Sequence, residues 1–207
     1  MGGRGSWSAS GEIYEPNPAG GGGNGGDDEK VLGPRIPETL KEALGEQGKP
    51  MTMMEAAKGT NPHFNQNFDA YSSNCQRCVL TYEARRRGYD VTALPTYSGD
   101  MLPYGRDYLM GLSNPKTVNT DKSVSKIRKE MQSYGDGARA IIHVSNSRGG
   151  HVFIAENKSG KIIYIDPQIN GRYTKLDLKK VSSSAITRID NQDFTDYARN
   201  AFTRQKV

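Results

Sequence analysis

The chain has 207 residues, a formal net charge of +5 and two cysteines, which is enough for one domain, or at most two, with a buried core. It contains no run of 18 apolar residues, and its first residues lack the apolar stretch of a secretory signal peptide. We therefore expect neither a membrane span nor export, and a reducing compartment with free thiols.

Glycine content and charge divide the chain near residue 50. Residues 1–50 contain 13 of the 24 glycines and carry a net charge of −3, whereas the rest of the chain carries +8. Such a glycine-rich segment cannot bury enough apolar surface to offset the entropy lost on ordering. We predict a flexible tail over 1–50, disordered over 1–30 with at most a short helix within 37–47, and one domain over 51–207.

The positive charge of the predicted domain is scattered along the sequence, apart from Arg85–Arg87 and Lys179-Lys180. The first of these clusters is explained by the end of a helix, where basic side chains are favoured. No zinc-finger, RNA-recognition or helix-turn-helix pattern accompanies the charge. The sequence therefore argues against nucleic acid as a partner.

Helices and strands alternate along the predicted domain. The segments with helical periodicity or helix-end signals are 51–57, 74–87, 121–134 and 193–204. The segments with strand character are 91–94, 139–144, 151–155, 161–166 and 185–189. Residues 96–120 are rich in loop-forming residues and predict a long loop with at most one helical turn near 108–110. This pattern predicts an α+β domain with a small antiparallel sheet.

The second predicted helix contains both cysteines. Ser72, Ser73 or Asn74 can cap its first turn, which places Cys75 at the positive end of the helix dipole. This environment lowers a thiol pKa and favours the nucleophilic thiolate. A Cys-x-x-Cys pair also fits core packing, a redox pair or half of a zinc site. No second ligand pair completes a zinc site, and two cysteines within one helical turn suit a disulfide poorly, so we expect no metal and no cofactor.

A hairpin downstream supplies partners for the thiol. If Ser159-Gly160 is a two-residue loop, residues whose numbers sum to 319 pair across it, and His151 and Asp166 are diagonal neighbours on one face. A register that sums to 317 places them directly opposite, and a one-residue slip separates them. The ordered set of Cys75, His151 and Asp166 is typical of a nucleophile, a base and the group that orients the base.

Other interpretations of these residues stay open. A histidine at a strand edge is often hydrogen-bonded and inert, and Asp166 before Pro167 can simply cap a turn. His143 lies inside an apolar strand, which favours a structural role. His63 follows Asn61-Pro62 in a loop and is a weak candidate for catalysis.

Four motifs occur in a set order along the chain. They are Asn-Pro at 61–62, Asn-Cys-x-x-Cys at 74–78 with the segment that follows to 93, Gly-Gly-His at 149–151, and Tyr-Ile-Asp-Pro-Gln at 164–168. Over about residues 60–190 the sequence resembles the papain-fold toxin domain, a glutamine-deamidase-like family found in polymorphic toxins and phage head-associated proteins. The resemblance implies a papain-like α+β fold, in which an N-terminal helix bearing the cysteine packs on a small antiparallel sheet.

The resemblance also implies a function. It is that of a cysteine-dependent amide hydrolase, a protein glutamine deamidase or protease, with Cys75, His151 and Asp166 as catalytic residues. The backbone amide of Cys75, together with a side-chain donor from Asn74, Gln168 or Gln66, would stabilise the oxyanion.

The partners implied are a protein substrate or a virion or host protein, with room for an immunity protein. The resemblance implies a phage-encoded chain that is cytoplasmic or virion-associated. The alternative is a non-catalytic virion or host-interaction module that retains the papain-like fold.

Two features depart from papain-like proteases. His151 follows Cys75 by 76 residues, whereas roughly 130 or more separate the two groups in those enzymes. The Cys-Gly-Ser-Cys-Trp context is absent, and in that motif the second cysteine reacts, which makes Cys78 the alternative nucleophile. We favour Cys75, because Cys78 beside Val79 is predicted to point into the packed face of the helix.

Overall fold

The structure is a computed structural model, and it describes residues 35–64, 69–96, 106–147, 149–169, 171–173 and 176–204. Its α-helices are α1 (Leu40–Leu44), α2 (Met53–Thr60), α3 (Asp69–Ser72), α4 (Cys75–Arg86) and α5 (Val124–Ser133). Its strands are β1 (Val91–Ala93), β2 (Thr117–Asn119), β3 (Arg139–Asn146), β4 (Gly149–Lys158), β5 (Lys161–Asp166), β6 (Arg172–Tyr173), β7 (Ser183–Arg188) and β8 (Phe202–Arg204). Short 3-10 helices span Asp107–Gly111, Pro167–Ile169 and Asp196–Asn200.

Helix α4 ends where its sequence requires. The amide of Gly88 donates to Arg85 and the amide of Tyr89 donates to Ala84, so the last carbonyls of the helix are satisfied. Gly88 has a φ of 103°, and a Cβ there would lie 2.4 Å from the carbonyl oxygen of Gly48. Only glycine fits this close approach. The end of the helix predicted over 74–87 is confirmed.

The larger sheet is antiparallel, with the strand order β2-β7-β3-β4-β5-β6. Strands β4 and β5 pair Ile154 with Ile165 and Lys158 with Lys161, so the predicted register that sums to 319 is confirmed. Ser159 and Gly160 both have positive φ values, 51° and 83°. This is the backbone conformation that a two-residue hairpin loop needs, and it matches the twist of the strands.

Apolar side chains cover both faces of this sheet. On one face, Val152, Ile154 and Ile165 join a cluster that includes Val79 and Tyr82 of α4. On the other face, a second cluster contains Ile127 and Met131 of α5 together with Ile142, Phe153 and Ile186. Helix α4 is therefore a central layer, and ten of its twelve residues are buried.

Part of the segment assigned to the tail is folded. Residues 1–34 lie outside the described residues, but α1 occurs within the predicted range of 37–47. The Thr39 side chain accepts a hydrogen bond from the amide of Glu42, and Ala43 is fully buried in the core. The amide of Leu40 donates to Asp196. The folded structure thus begins before residue 51.

The C-terminal segment differs from the prediction. The helix expected over 193–204 is wrong, because a 3-10 helix at Asp196–Asn200 is followed by β8, which pairs with β1. Phe202 lies opposite Ala93 in this pair and is fully buried. Pairing with β1 satisfies backbone groups that a solvent-facing helix would have satisfied internally.

The long loop expected over 96–120 is confirmed in part. The single helical turn predicted near 108–110 is the 3-10 helix Asp107–Gly111. The strand β2 at its end was not predicted, and residues 97–105 lie outside the description. Within the described residues, no helix has the length and apolar character needed to cross a bilayer.

Buried ion pairs tie α4 to the sheet. Glu83 is fully buried and contacts the guanidinium groups of Arg87, at 2.8 Å, and of Arg139 in β3, at 2.6 Å. One turn further along, Arg86 contacts Glu156 of β4 at 2.8 Å. Removing charges from water is costly, and these multiple contacts offset that cost. The C-terminal half of α4 is therefore fixed against β3 and β4.

We expect Glu83→Gln to lower the free energy of unfolding by about 3 kcal/mol, because the variant leaves two partly buried guanidinium groups without their counter-charge. Urea denaturation measures this change. The control is Glu38→Gln, which removes the exposed pair with Arg35 and should cost less than about 1 kcal/mol. Equal losses in the two variants would contradict an anchoring role for Glu83.

Candidate active site

Cys75 is the first residue of α4, and its side chain is 7% exposed. Its thiol is free, and it lies at the helix end where backbone N–H groups and the helix dipole favour negative charge. Asn74 occupies the N-cap position, but its side chain makes no capping hydrogen bond. Asn74 was one of three residues predicted as candidates to cap the first turn. The prediction is wrong for the Asn74 side chain.

His151 and Asp166 form a buried pair where β4 begins and β5 ends. Nε2 of His151 lies 2.7 Å from Oδ2 of Asp166, and both side chains are fully buried. The other carboxylate oxygen, Oδ1, accepts a hydrogen bond from the amide of Gln168 at 3.1 Å. The carboxylate is thus held by one partner on each oxygen, which fixes the orientation of the imidazole ring.

The electrostatics of this pair favour a charged imidazole. Burial alone lowers the pKa of His151, but the charge and hydrogen bond of Asp166, with a smaller contribution from the Cys75 thiol, raise it to about 10. Nδ1 of His151 is buried and makes no hydrogen bond of ordinary geometry with any described residue. Since Asp166 occupies Nε2, Nδ1 is the ring nitrogen left for the Cys75 thiol. The three residues predicted from the sequence are brought together.

Cys78 lies in a different environment from Cys75. Its side chain is fully buried, and its Sγ donates a hydrogen bond to Oδ1 of Asn74 at 3.3 Å. Burial raises the pKa of the Cys78 thiol well above its usual value, and the nearby groups of Cys75 and Asp166 raise it further. A buried, protonated thiol is a poor nucleophile. The inward position predicted for Cys78 is confirmed.

The amides of Asn74 and Gln168 are engaged inside the protein. Nδ2 of Asn74 donates to the Asn61 side chain at 3.2 Å and to the carbonyl of Leu94 at 3.1 Å. Nε2 of Gln168 donates to the carbonyl of Ser72 at 2.9 Å and to Oδ1 of Asn74 at 3.5 Å. Both N–H donors of each amide thus have protein acceptors. This arrangement argues against either side chain as an oxyanion donor.

The remaining predicted candidates are placed as follows. Gln66, the third donor candidate, lies outside the described residues. His63 is exposed and packs its ring near that of Tyr71, with centroids 5.3 Å apart. Asn61 is fully buried beside Asn74, and no role was predicted for it from the sequence. The signal that pointed to it was its place in the Asn-Pro motif.

His143 has a structural environment, as its sequence context predicted. Its Nδ1 lies 3.0 Å from the Tyr108 hydroxyl and its Nε2 lies 2.9 Å from the Thr187 hydroxyl. Burial, followed by the charge of Arg106, lowers the pKa of His143 to about 3, so the ring is neutral. The pKa of Tyr108 is raised well above its usual value by burial and then by Cys75. Tyr108 lies in the same buried cluster as Cys75, which no sequence motif indicated.

Metal-ligating side chains do not cluster in the described part of the chain. No group of three or more His, Cys, Asp and Glu residues there is arranged to hold an ion.

The His151–Asp166 pair predicts a pH-dependent contribution to stability. Because the pKa of His151 is raised in the folded protein, the stabilisation is complete below about pH 6.5, the usual histidine value, and is lost as the pH rises toward the folded-state value. We expect Asp166→Asn to lower the free energy of unfolding by about 3 kcal/mol at about pH 6 and by clearly less at about pH 10. Denaturation at both pH values measures this. A pH-independent loss would contradict the charged pair.

Comparison with known families agrees with this geometry. Residues 73–171 match the family model described as papain fold toxin 1, glutamine deamidase. The matched segment contains Cys75, His151 and Asp166, and it confirms both the resemblance and the papain-like α+β fold predicted from the sequence. No curated protein and no solved structure matches the chain significantly. Residues 73–171 of this chain are therefore similar to the papain-fold toxin family of glutamine deamidases.

Proposed function

We propose that this domain is a cysteine-dependent amide hydrolase that deamidates glutamine side chains of a protein substrate. Cys75 is the nucleophile, and His151 is the general base and acid. Asp166 orients the imidazole and stabilises its protonated form. The observation that carries the proposal is the fully buried 2.7 Å contact between His151 and Asp166, which leaves Nδ1 for the thiol at the start of α4. The family match, which names glutamine deamidases, supports the reaction type.

The first step forms a thioester. The raised pKa of His151 allows Nδ1 to hold the proton of Cys75, so the sulfur attacks the glutamine carboxamide carbon as a thiolate. The carbonyl oxygen becomes an oxyanion beside the first turn of α4, where the backbone amide of Cys75 and the helix dipole stabilise negative charge. The C–N bond then breaks, and His151 gives its proton to the departing ammonia.

The second step releases glutamate. Water takes the place of ammonia, and His151 Nδ1 accepts one of its protons as the oxygen attacks the thioester carbon. The C–S bond breaks, the substrate leaves as a carboxylic acid, and the thiolate–imidazolium pair is restored. Asp166 holds the imidazole in place throughout, because its two oxygens accept hydrogen bonds from His151 and from the amide of Gln168.

Peptide-bond cleavage would use the same groups and differs only in the leaving amine. The family match favours ammonia as the leaving group. A protein target follows from the reaction, and an immunity protein remains a prediction of the family resemblance. Phage origin and a virion or host setting also stay predictions. A non-catalytic module with the same fold is the competing hypothesis, and thiol reactivity separates it from the enzyme.

At about pH 6 a free thiol with its usual pKa is mostly protonated and reacts slowly with iodoacetamide. We therefore expect iodoacetamide to alkylate Cys75 rapidly and selectively at this pH. His151→Ala should slow the labelling by about tenfold or more, since the imidazolium no longer stabilises the thiolate. Peptide mapping by mass spectrometry identifies the labelled residue. The control is Cys78→Ser, which keeps a donor for Asn74 and should leave the Cys75 rate unchanged.

Slow and equal labelling of both cysteines would favour the non-catalytic module. If Cys75 is reactive, candidate proteins are incubated with the domain, and released ammonia and the conversion of glutamine to glutamate are measured. New N-termini without ammonia would instead identify a protease. Cys75→Ser provides the inactive reference, because a hydroxyl in the same place is far less acidic than a thiol.

A further inference from the structure

We propose that Asn61 is a positioning residue that sets the distance between the Cys75 thiol and the His151–Asp166 pair. The inference rests on the proposed function, since it concerns how the same site is assembled. Asn61 follows the last residue of α2, is fully buried, and belongs neither to α4 nor to the hairpin. It contacts the two segments that carry the reacting groups.

The side-chain amide of Asn61 bridges these two segments. Its Nδ2 donates to the carbonyl of Gln168, just after β5, at 2.9 Å, and to Oδ1 of Asn74, just before α4, at 3.3 Å. It also donates to the carbonyl of Tyr71 at 2.9 Å. Its Oδ1 accepts from Nδ2 of Asn74 at 3.2 Å. One side chain therefore holds the start of the nucleophile helix against the end of the strand that supplies Asp166.

These contacts complete a continuous chain of hydrogen bonds. His151 contacts Asp166, and Asp166 accepts from the amide of Gln168. The carbonyl of Gln168 accepts from Asn61, and Asn61 exchanges hydrogen bonds with Asn74. Cys75 is the next residue. The imidazole and the thiol are thus connected through buried polar groups as well as through space. Asn61 links the two halves, together with the side chain of Gln168, which donates to Ser72 and Asn74.

The position requires an amide for a chemical reason. Three oxygen atoms, two of them backbone carbonyls, face Nδ2 of Asn61, and all of them are acceptors. An aspartate of the same shape would place a further acceptor against them, and a leucine would leave them without donors. Buried polar groups left in this state force neighbouring segments apart or draw in water.

The ion pairs of α4 do not replace this link. The ion pairs of Glu83 and Glu156 fix the C-terminal half of α4 to β3 and β4. The N-terminal turn is instead held by the cluster around Asn74, whose Oδ1 also accepts from Cys78. A loss of Asn61 therefore acts at the end of α4 that carries Cys75. A shift of about 1 Å between reacting groups is enough to impair a catalytic pair.

The chain offers a matched control. Asn157 is likewise buried, at the opposite end of the β4–β5 hairpin, and its Nδ2 donates to the carbonyls of Met131 at 3.1 Å and Gly135 at 2.8 Å. Its Oδ1 accepts from the amide of Gly160 at 2.9 Å. Asn61→Asp and Asn157→Asp thus remove the same kind of donor from the same kind of site, and only the first lies beside the reacting groups.

The experiment measures the iodoacetamide labelling rate of Cys75 against pH in the wild type and both variants, at temperatures where each is folded. We expect Asn61→Asp to slow labelling by about tenfold at about pH 6 and much less at about pH 9, because the sulfur needs an imidazolium partner to react as a thiolate at the lower pH, whereas any free thiol is substantially ionised at the higher one. Asn157→Asp should lose comparable thermal stability and keep the wild-type pH profile.

An Asn61→Asp protein that is destabilised but keeps the wild-type profile would overturn the positioning role. If that variant does not fold, Asn61→Ser, which introduces no charge, is measured in the same way and decides between the same two results. A wild-type protein whose Cys75 labelling does not depend on His151 would overturn the proposed function itself. Labelling that depends on His151 but not on Asn61 overturns this inference alone.

Discussion

The His151–Asp166 contact is the interaction on which the site depends. Two fully buried groups at 2.7 Å pay a large desolvation cost, which is recovered only if the geometry is good and the other carboxylate oxygen is satisfied. That geometry follows from the register of the β4–β5 hairpin, which is set at its far end by positive φ values at Ser159 and Gly160. A two-residue turn thus fixes which carboxylate pairs with His151.

Helix α4 is positioned by polar groups at both ends. Ion pairs of Glu83 and Glu156 hold its C-terminal half against the sheet, and the amides around Asn74 hold its first turn. Apolar contacts along the helix supply most of the buried surface, but they are non-directional. The directional hydrogen bonds and ion pairs select one position of the helix, and with it one position of the thiol.

Local signals made much of the fold predictable. The stop of α4 at Gly88, the two-residue turn and the hairpin register follow from the residues at those positions, because glycine and turn chemistry act over a few residues. The prediction of a C-terminal helix was wrong for the opposite reason. Apolar residues such as Phe194 and Phe202 have helical spacing, yet Phe202 pairs with β1 far away in the sequence. The spacing of apolar residues carries no information about a strand elsewhere in the chain that can form hydrogen bonds with the segment.

The sequence by itself determined the residue types of the site and their order: a cysteine at a helix start, a histidine that opens one strand and an aspartate that ends the next. The tertiary structure alone decided that the side-chain amides of Asn74 and Gln168 donate to acceptors inside the protein and that Cys78 is buried. It also decided that Asn61 connects the start of α4 to the end of β5. The reason is that Asn61 and Gln168 are separated by 107 positions, and their hydrogen bond exists only because α2, α4 and the end of β5 pack together.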